Sequence, residues 1–262
     1  MEIRLSGKRA LIGGGSSGIG KAIALQLAAC GAEVTLMSRS EEKLKSTLAG
    51  LDVSNGQQHG YIVTDFSDYT RHKQLLETFF ASHTVDILVN NTQGPAAGDV
   101  RVKGEQDYLE AFDLLFRNAV LATQLALPHM EMQGFGRIIN VSSMTVKEPQ
   151  DQLVLSNTMR TALVSWSKSL SNAVASKGIT VNSVLTGYFE TDRLKNLMEI
   201  QAETDNIPFE QVRRKRMNAV PVNRLGDPAE YGYLVAFLAS GYASFLTGAA
   251  IPLDGGIAKT LF

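Results

Sequence analysis

The sequence of 262 residues contains one cysteine, Cys30, so the chain has no second thiol for an internal disulfide. We therefore expect a protein of a reducing compartment, the cytoplasm. The sequence also lacks an excess of charge of either sign, because 25 Lys and Arg residues face 26 Asp and Glu residues. Proteins that bind nucleic acid usually carry a basic excess, so we expect no nucleic-acid partner.

Long uncharged apolar runs are absent as well. No stretch reaches the roughly 18 residues of a membrane-spanning helix, so we expect no membrane partner. The charged start of the chain lacks the apolar run and cleavage site of a signal peptide. The four histidines are scattered without the spacing of metal ligands, so we expect no metal and interpret them as surface or boundary residues. They are His59, His72, His83 and His129.

What the sequence does contain is an alternation of short aliphatic strands with longer helical patterns, and 44% of its residues are hydrophobic. This alternation predicts one α/β domain over residues 1–262, a doubly wound parallel sheet of the Rossmann type. The predicted strands are 9–13, 33–37, 60–63, 86–90, 137–141, 180–185 and 249–252. The predicted helices are 19–29, 41–49, 71–82, 106–132, 156–176 and 229–239.

Two segments interrupt the alternation after the fourth and sixth predicted strands. Residues 93–104 are rich in Gly, Pro and Ala, and residues 190–220 are polar and helical. Both leave the carboxyl ends of strands, where open sheets bind ligands. We interpret the first as an active-site loop and the second as a substrate lid; the alternative for the second is a solvated helical excursion.

A glycine-rich segment with the pattern Gly14-x-x-x-Gly18-Ile-Gly20 lies between the first predicted strand and helix. Glycines there permit a tight turn and close approach of the backbone to a pyrophosphate, which the free N–H groups of the helix start would bind. A purely structural turn is the alternative. The residues expected to contact a dinucleotide here are Gly14, Ser16, Ser17, Gly18, Ile19 and Gly20.

The end of the second predicted strand indicates which dinucleotide is bound. An acidic residue there would bind the adenosine ribose 2′-hydroxyl and select NAD(H). Ser38 occupies this position and Arg39 follows, and a guanidinium pairs well with a 2′-phosphate. We therefore expect NADP(H) to be preferred, with NAD(H) still possible if Arg39 is only a surface arginine.

Several further motifs follow the glycine segment along the chain. They are Asp65 with Phe66, Asn90 with Asn91, Asn118, Val141-Ser-Ser143, Gly187 with Thr191, and Leu246-Thr-Gly-Ala-Ala-Ile-Pro-Leu-Asp-Gly-Gly256. Each motif is weak alone, but their order and spacing are specific. Through them the sequence resembles, over almost its whole length, the short-chain dehydrogenase/reductase family, most closely its 3-oxoacyl-carrier-protein-reductase-like branch.

The resemblance implies a role for each matched residue. Asp65, next to Phe66, would bind the adenine, and Asn90, next to Asn91, would line the adenosine side of the cofactor. Thr191, following Gly187, would hold the nicotinamide carboxamide. Asn118 would order a water in the proton path, and Ser143 would hydrogen-bond the substrate carbonyl.

The sequence departs from the family at its catalytic tyrosine and lysine. The family spacing from Ser143 places Ser156 and Arg160 at those positions, and no tyrosine lies between Tyr108 and Tyr188. A serine is a poor general acid, and a guanidinium does not release a proton near pH 7. Arg160 can still bind the nicotinamide ribose through its fork of donors.

Two other residues are candidate proton donors. Lys147 follows Ser143 on a loop that should border the site, and a desolvated lysine can act as an acid or base. The alternative is a solvated loop lysine. Tyr188 follows Gly187 and is the second candidate donor; the alternative role of its side chain is packing within the loop.

The leading hypothesis is an atypical NADP(H)-dependent oxidoreductase acting on a small-molecule carbonyl or acyl substrate. Asn118, Ser143, Ser156, Arg160 and Lys147 are its candidate catalytic residues. The alternative is a dinucleotide-binding sensor or partner protein without turnover. The family resemblance also implies a homotetramer or dimer, with the aromatic stretch 231–246 at an interface.

Overall fold

The computed structural model describes residues 2–260 and has seven parallel strands with helices on both faces. The order of strands in the sheet is β3-β2-β1-β4-β5-β6-β7, so the chain reverses its direction of winding between β1 and β4. The strands are β1 (Arg9–Gly13), β2 (Glu33–Ser38), β3 (Gly60–Val63), β4 (Ile87–Asn90), β5 (Gly136–Val141), β6 (Ile179–Thr186) and β7 (Ala250–Leu253). The doubly wound α/β prediction is confirmed.

Nine α-helices alternate with these strands within the described residues. They are α1 (Gly18–Ala29), α2 (Glu41–Leu48), α3 (Tyr69–Phe80), α4 (Glu105–Phe112), α5 (Asn118–Gln133), α6 (Val154–Val174), α7 (Asp192–Asp205), α8 (Phe209–Asn218) and α9 (Pro228–Ala239).

The sheet separates two hydrophobic cores, which explains the aliphatic character of its central strands. Every residue of β5 is buried, as expected for a strand covered on both faces. On one face Ile23 and Leu27 of α1 pack with Val235 of α9. On the other, α3, α5 and α6 cover the sheet through residues such as Leu76. This packing holds the carboxyl ends of all the strands at one edge.

The long helix predicted over residues 106–132 is divided in the structure. A π-helical turn, Asp113–Arg117, joins α4 to α5, so Asn118 begins α5 instead of lying inside a regular helix. Such a turn inserts one extra residue and changes the direction in which the following side chains point, and π-turns are frequent at functional sites. The periodicity of the sequence does not reveal it.

The segment predicted as a lid forms α7 and α8, which share a small core of their own that includes Leu194, Met198 and Val212. The two helices pack against each other through this core. Backbone hydrogen bonds from Gly226 N to Tyr188 O and from Glu190 N to Gly226 O join the two ends of the segment.

The aromatic stretch 231–246 divides between core and surface. Tyr231 and Leu238 are fully buried, whereas Tyr233, Tyr242 and Phe245 are exposed. Among residues 2–260, no helix has the length and apolar character of a membrane span. The same residues contain no group of three or more His, Cys, Asp or Glu side chains arranged to hold a metal ion.

Candidate active site

The glycine-rich segment forms a tight loop from β1 into α1. Gly14 and Gly18 have φ angles of +60° and +50°, where a side chain would strain the backbone. A methyl group on Gly20 would collide with the carbonyl oxygen of Gly14. The side chain of Ser17, which precedes α1, makes no capping hydrogen bond, and the first turn of α1 has no acidic residue. The N–H groups of this helix start therefore favour an anion.

Asn91 fixes the shape of this loop from the neighbouring strand. Its Nδ2 donates a hydrogen bond to Gly13 O at 2.9 Å. A methyl group on Gly13, Gly14 or Gly20 would collide with Asn91. This side chain thus holds the loop, a positioning role that its place in a family motif does not reveal.

Arg39 and Asp65 come together at the end of β2, with Arg39 Nη1 3.9 Å from Asp65 Oδ2. Burial acts to raise the pKa of Asp65, but hydrogen bonds from Ser67 and the charge of Arg39 hold that pKa below its usual range. The adjacent hydroxyl of Ser38 is buried and has no hydrogen-bond partner. The guanidinium of Arg39 and the hydroxyl of Ser38 at this strand end fit an adenosine ribose with a 2′-phosphate.

The Asn90 side chain points into the protein, where its Nδ2 donates to Asn140 Oδ1 at 2.8 Å. Asn140 in turn donates to Ser167 Oγ at 2.8 Å. The amide of Asn90 is therefore engaged in a buried network that joins β4, β5 and α6. Its predicted contact with the adenosine side of a cofactor remains a prediction.

Asn118 is buried at the start of α5, with its Nδ2 donating to Phe66 O at 2.7 Å. Its Oδ1 has no hydrogen-bond partner. Beside it is a cavity of about 20 Å³, whose lining includes Asn118, Arg160 and His72. A water needs about 10–15 Å³ and polar partners, so this cavity has room for one. The arrangement fits the predicted role of Asn118 in ordering a water.

The prediction that His72 is a surface or boundary residue is wrong. His72 is buried in the wall of this cavity, with Nδ1 2.8 Å from Thr64 Oγ1, and is neither a surface nor a boundary residue. Burial lowers its pKa from 6.5 to about 4. The imidazole is therefore neutral at pH 7. A single histidine on an amphipathic helix gives no signal of this burial.

Ser156 and Arg160 lie one turn apart on α6 and are hydrogen-bonded to each other. Arg160 Nε donates to Ser156 Oγ at 3.1 Å, and Arg160 Nη1 donates to Val141 O at 2.7 Å. Burial lowers the pKa of Arg160 to about 10, and the nearby charge of Arg193 contributes in the same direction while Tyr231 opposes it. Arg160 remains a cation at neutral pH.

Both candidate serines keep a hydroxyl hydrogen available. Ser156 Oγ accepts from Arg160, and Ser143 Oγ accepts from Thr145 N at 3.2 Å, so each hydroxyl retains its own proton to donate. The guanidinium polarises the Ser156 hydroxyl and makes it a stronger donor. Ser156 and Arg160 together can stabilise negative charge on an oxygen atom.

Lys147 follows Ser143 at the end of a short 3-10 helix and is half-buried. The neighbouring Glu148 accepts a hydrogen bond from Lys259 N near the end of the chain. The C-terminal segment therefore packs against the loop that carries both Lys147 and Ser143.

At the end of β6, the Gly187 backbone packs so closely on Asp254 that a side chain would collide with it. Thr191 caps α7 by accepting from Leu194 N, and a methyl group on Gly18 would lie 3.2 Å from its Cγ2. Thr191 thus faces the glycine-rich loop across the cleft, by which we mean the space at the carboxyl edge of the sheet between this loop and α7.

The ring of Tyr188 packs against the core formed by α7 and α8, with the Arg216 guanidinium 4.9 Å from the ring centroid. Packing within the loop is therefore the interpretation that its contacts favour.

Comparison with known proteins agrees with this geometry. Residues 14–258 match the family model described as Enoyl-(Acyl carrier protein) reductase. The chain is 32% identical over 263 residues to the 3-oxoacyl-[acyl-carrier-protein] reductase FabG of Aquifex aeolicus, covering 98% of this chain and 100% of that protein. It is 30% identical to the NADPH-dependent reductase BacG of Bacillus subtilis, covering 98% of this chain and 100% of that protein.

A solved structure is similar over the whole chain. The L-sorbose reductase of Gluconobacter frateurii, complexed with NADPH and L-sorbose, superposes with a TM-score of 0.92 at 27% identity. Each chain is covered to 100%. The likeness therefore extends over the sheet and over α7 and α8 alike.

Proposed function

Because this chain belongs to the short-chain dehydrogenase/reductase family, matching its enoyl-(acyl carrier protein) reductase model over residues 14–258, we propose that it is an NADP(H)-dependent oxidoreductase. Its substrate is a small carbonyl compound or the corresponding alcohol, with 3-oxoacyl compounds among the candidates. The observation that carries this proposal is the position of the Ser156–Arg160 pair at the same sheet edge as the uncapped start of α1.

The residues at this edge fit NADP(H) along its length. The loop from Gly14 to Gly20 would hold the pyrophosphate, Ser38 and Arg39 the 2′-phosphate, and Thr191 the nicotinamide end. When bound, NADPH supplies a hydride to the substrate. The relatives named above as NADPH-dependent or NADPH-bound support this choice of cofactor.

We assign Ser156 and Arg160 to the positions of the family tyrosine and lysine. Ser143 and Ser156 each donate a hydroxyl hydrogen to the substrate oxygen, and Arg160 strengthens the donation by Ser156. Removal of one such donor in other enzymes costs about 10²–10³-fold in rate. Stabilisation of the oxyanion thus replaces part of the effect of a general acid.

The proton that completes the alcohol must come from another group. We propose Lys147, since it follows Ser143 on the loop at the site and is half-buried. Replacing Lys147 by Met should lower turnover by about 10²-fold if it donates this proton. Unchanged turnover would remove it from the mechanism.

A protein that binds the dinucleotide without turnover is the second candidate. The observation that favours it is that residues 109–187 contain no tyrosine, so the family phenol has no substitute in this segment. The hydroxyls of Ser143 and Ser156 and the free Oδ1 of Asn118 favour the enzyme instead.

Steady-state oxidation of NADPH by a panel of ketones, aldehydes and 3-oxoacyl thioesters separates the two candidates. The reductase proposal expects turnover that falls about 10²-fold in Ser156→Ala while NADPH affinity is retained. NADPH binding without oxidation by any member of the panel would establish the binding protein.

We further propose a single domain over 1–262 with α7 and α8 as its substrate lid, and a homotetramer or dimer. The exposed rings of Tyr233, Tyr242 and Phe245 support an interface that includes them.

A further inference from the structure

Arg193, the second residue of α7, extends across the cleft to the loop that follows β4. A methyl group on Gly94 would lie 2.7 Å from Arg193 Nη2 and 3.3 Å from Cζ. The guanidinium therefore rests on the backbone of Gly94, in the space that a side chain at this position would occupy. Gly94 does not have a positive φ, so this glycine is needed for the close approach and not for its backbone conformation.

The loop that carries Gly94 continues to the segment just before α6, the helix that carries Ser156. Gly98 N donates to Gln152 O at 2.8 Å, and Gly98 forms a parallel bridge with Leu153, just before α6. Asn90 at the end of β4 is paired in register with Asn140 of β5. Arg193 approaches the cleft from this β4 side.

Arg160 approaches the same place from β5, since it binds the carbonyl of Val141, the residue after Asn140. Arg160 lines the same small cavity as Asn91 and Thr92, which lead into Gly94, so the two guanidinium groups lie on neighbouring parts of the site. Their charges interact, because Arg193 contributes to lowering the pKa of Arg160.

This pair of cations has no acidic partner in the part of the chain that is described. None of the ion pairs within residues 2–260 includes Arg160 or Arg193. By contrast, the lid arginine Arg213 is paired with Glu190 at 2.9 Å. Like charges brought together in a cleft favour an anion between them.

We propose that Arg160 and Arg193 together bind the carboxylate of an oxo-acid substrate whose carbonyl lies at Ser156. This inference rests on the proposed reductase function and specifies its substrate class. Arg160 contacts Ser156 directly, so the carboxylate must lie close to the reacting carbonyl, as in a 2-oxo acid. Reduction adds a hydride from NADPH to the carbonyl carbon and the proton that we assign to Lys147 to its oxygen, which gives a 2-hydroxy acid. Solvent then returns a proton to Lys147.

Calorimetry on the NADP⁺-loaded protein can test this by comparing 2-oxohexanoate with its neutral methyl ester. We expect the acid to bind at least about tenfold more tightly than the ester, since a hydrogen bond to a charged group is worth roughly that factor or more. Arg193→Met should remove most of this preference and change NADPH affinity less than twofold.

Two further variants keep the test specific. Gly94→Ala displaces the Arg193 guanidinium while the charge is retained, so it should reduce the acid preference in the same direction. Arg213→Met removes an arginine from the lid that is already paired with Glu190, and it should leave the preference unchanged.

Two results would overturn the proposal. One is equal binding of acid and ester by the wild-type protein. The other is an Arg193→Met variant that loses NADPH affinity and keeps the acid preference, since Arg193 would then bind the cofactor pyrophosphate.

The same ligands separate this proposal from the reductase function. An acid preference that persists without any NADPH oxidation would support the anion site and contradict the reductase. Oxidation of NADPH by the ester without an acid preference would support the reductase and contradict the anion site.

Discussion

Arg160 donates its Nε hydrogen to Ser156 Oγ at 3.1 Å, so the two residues that we assign to the family's catalytic positions form one hydrogen-bonded unit. Replacing Arg160 by Met should reduce kcat by about 10²-fold, because the Ser156 hydroxyl loses its polarising partner. Steady-state kinetics with NADPH and a reactive ketone measures this. Arg4→Met, at an exposed arginine that is paired with Glu2 near the start of the chain, is the matched control and should leave kcat unchanged. A normal kcat in Arg160→Met would exclude the unit from the reaction.

Introducing the family's tyrosine and lysine at positions 156 and 160 tests the same positions through a gain of activity. The double variant Ser156→Tyr with Arg160→Lys should raise kcat/KM for ketones, because a phenol beside a cation serves as a general acid, worth about 10²–10⁴-fold. The phenol must fit where a hydroxymethyl group now lies, so circular dichroism and a melting curve should accompany the kinetics. A folded double variant that binds NADPH but is no faster than wild type would show that the remaining geometry is not catalytic.

The close contact between Gly20 and Gly14 O makes the glycine-rich loop sensitive to a single methyl group. Gly20→Ala should destabilise the protein by about 1–3 kcal/mol, as overpacking does, and should weaken NADPH binding. Fluorescence titration and thermal unfolding measure the two effects. Gly50→Ala is the control, because a methyl group there meets its nearest neighbour, Thr47 O, at an ordinary 3.5 Å. Equal behaviour of the two variants would contradict this description of the loop.

Arg39, 3.9 Å from Asp65, should determine the choice between NADPH and NADH. Arg39→Ala should reduce the ratio of NADPH to NADH affinity by about tenfold or more, since a charge-assisted hydrogen bond to phosphate is lost. Dissociation constants for both nucleotides give the ratio. Arg4→Ala, at an exposed arginine paired with Glu2, should not change it. An unchanged ratio in Arg39→Ala would mean that Arg39 is a surface residue only.

His72 should make stability depend on pH. Its pKa falls from 6.5 to about 4 on folding, so the unfolded chain binds a proton in this range that the folded protein does not. The free energy of unfolding should therefore fall by about 3 kcal/mol as the pH is lowered from about 6.5 to 4.

Urea unfolding of wild type and His72→Gln across this range measures the effect, since glutamine keeps a polar partner for Thr64 but does not titrate. The variant should show a flatter profile than wild type. His83→Gln is the control, because His83 is exposed. Parallel profiles for wild type and His72→Gln would contradict the assignment to His72.

Much of the fold could be predicted from sequence because aliphatic runs and glycines act locally. The strand predicted over 9–13 is found at Arg9–Gly13, and the glycine-rich loop joins it to α1. The contacts that depend on three-dimensional packing could not be predicted in this way. The π-turn before Asn118, the burial of His72 and the reach of Arg193 to Gly94 each depend on residues far apart in the chain.

The candidate catalytic residues show the same limit. Spacing from Ser143 identifies Ser156 and Arg160, but only the structure shows that Arg160 donates to Ser156 and to Val141 O. Likewise, Asn91 belongs to a predicted motif, yet its amide is engaged with Gly13 O.

The central claim is that the backbone amides at the start of α1 bind the pyrophosphate of a nicotinamide dinucleotide. Calorimetric titration of the purified protein with NADPH tests it most directly. We predict saturable binding with one site per chain, tighter than for NADH and weakened in Gly20→Ala. No measurable heat or saturation with NADPH, NADP⁺, NADH or NAD⁺ would contradict the account.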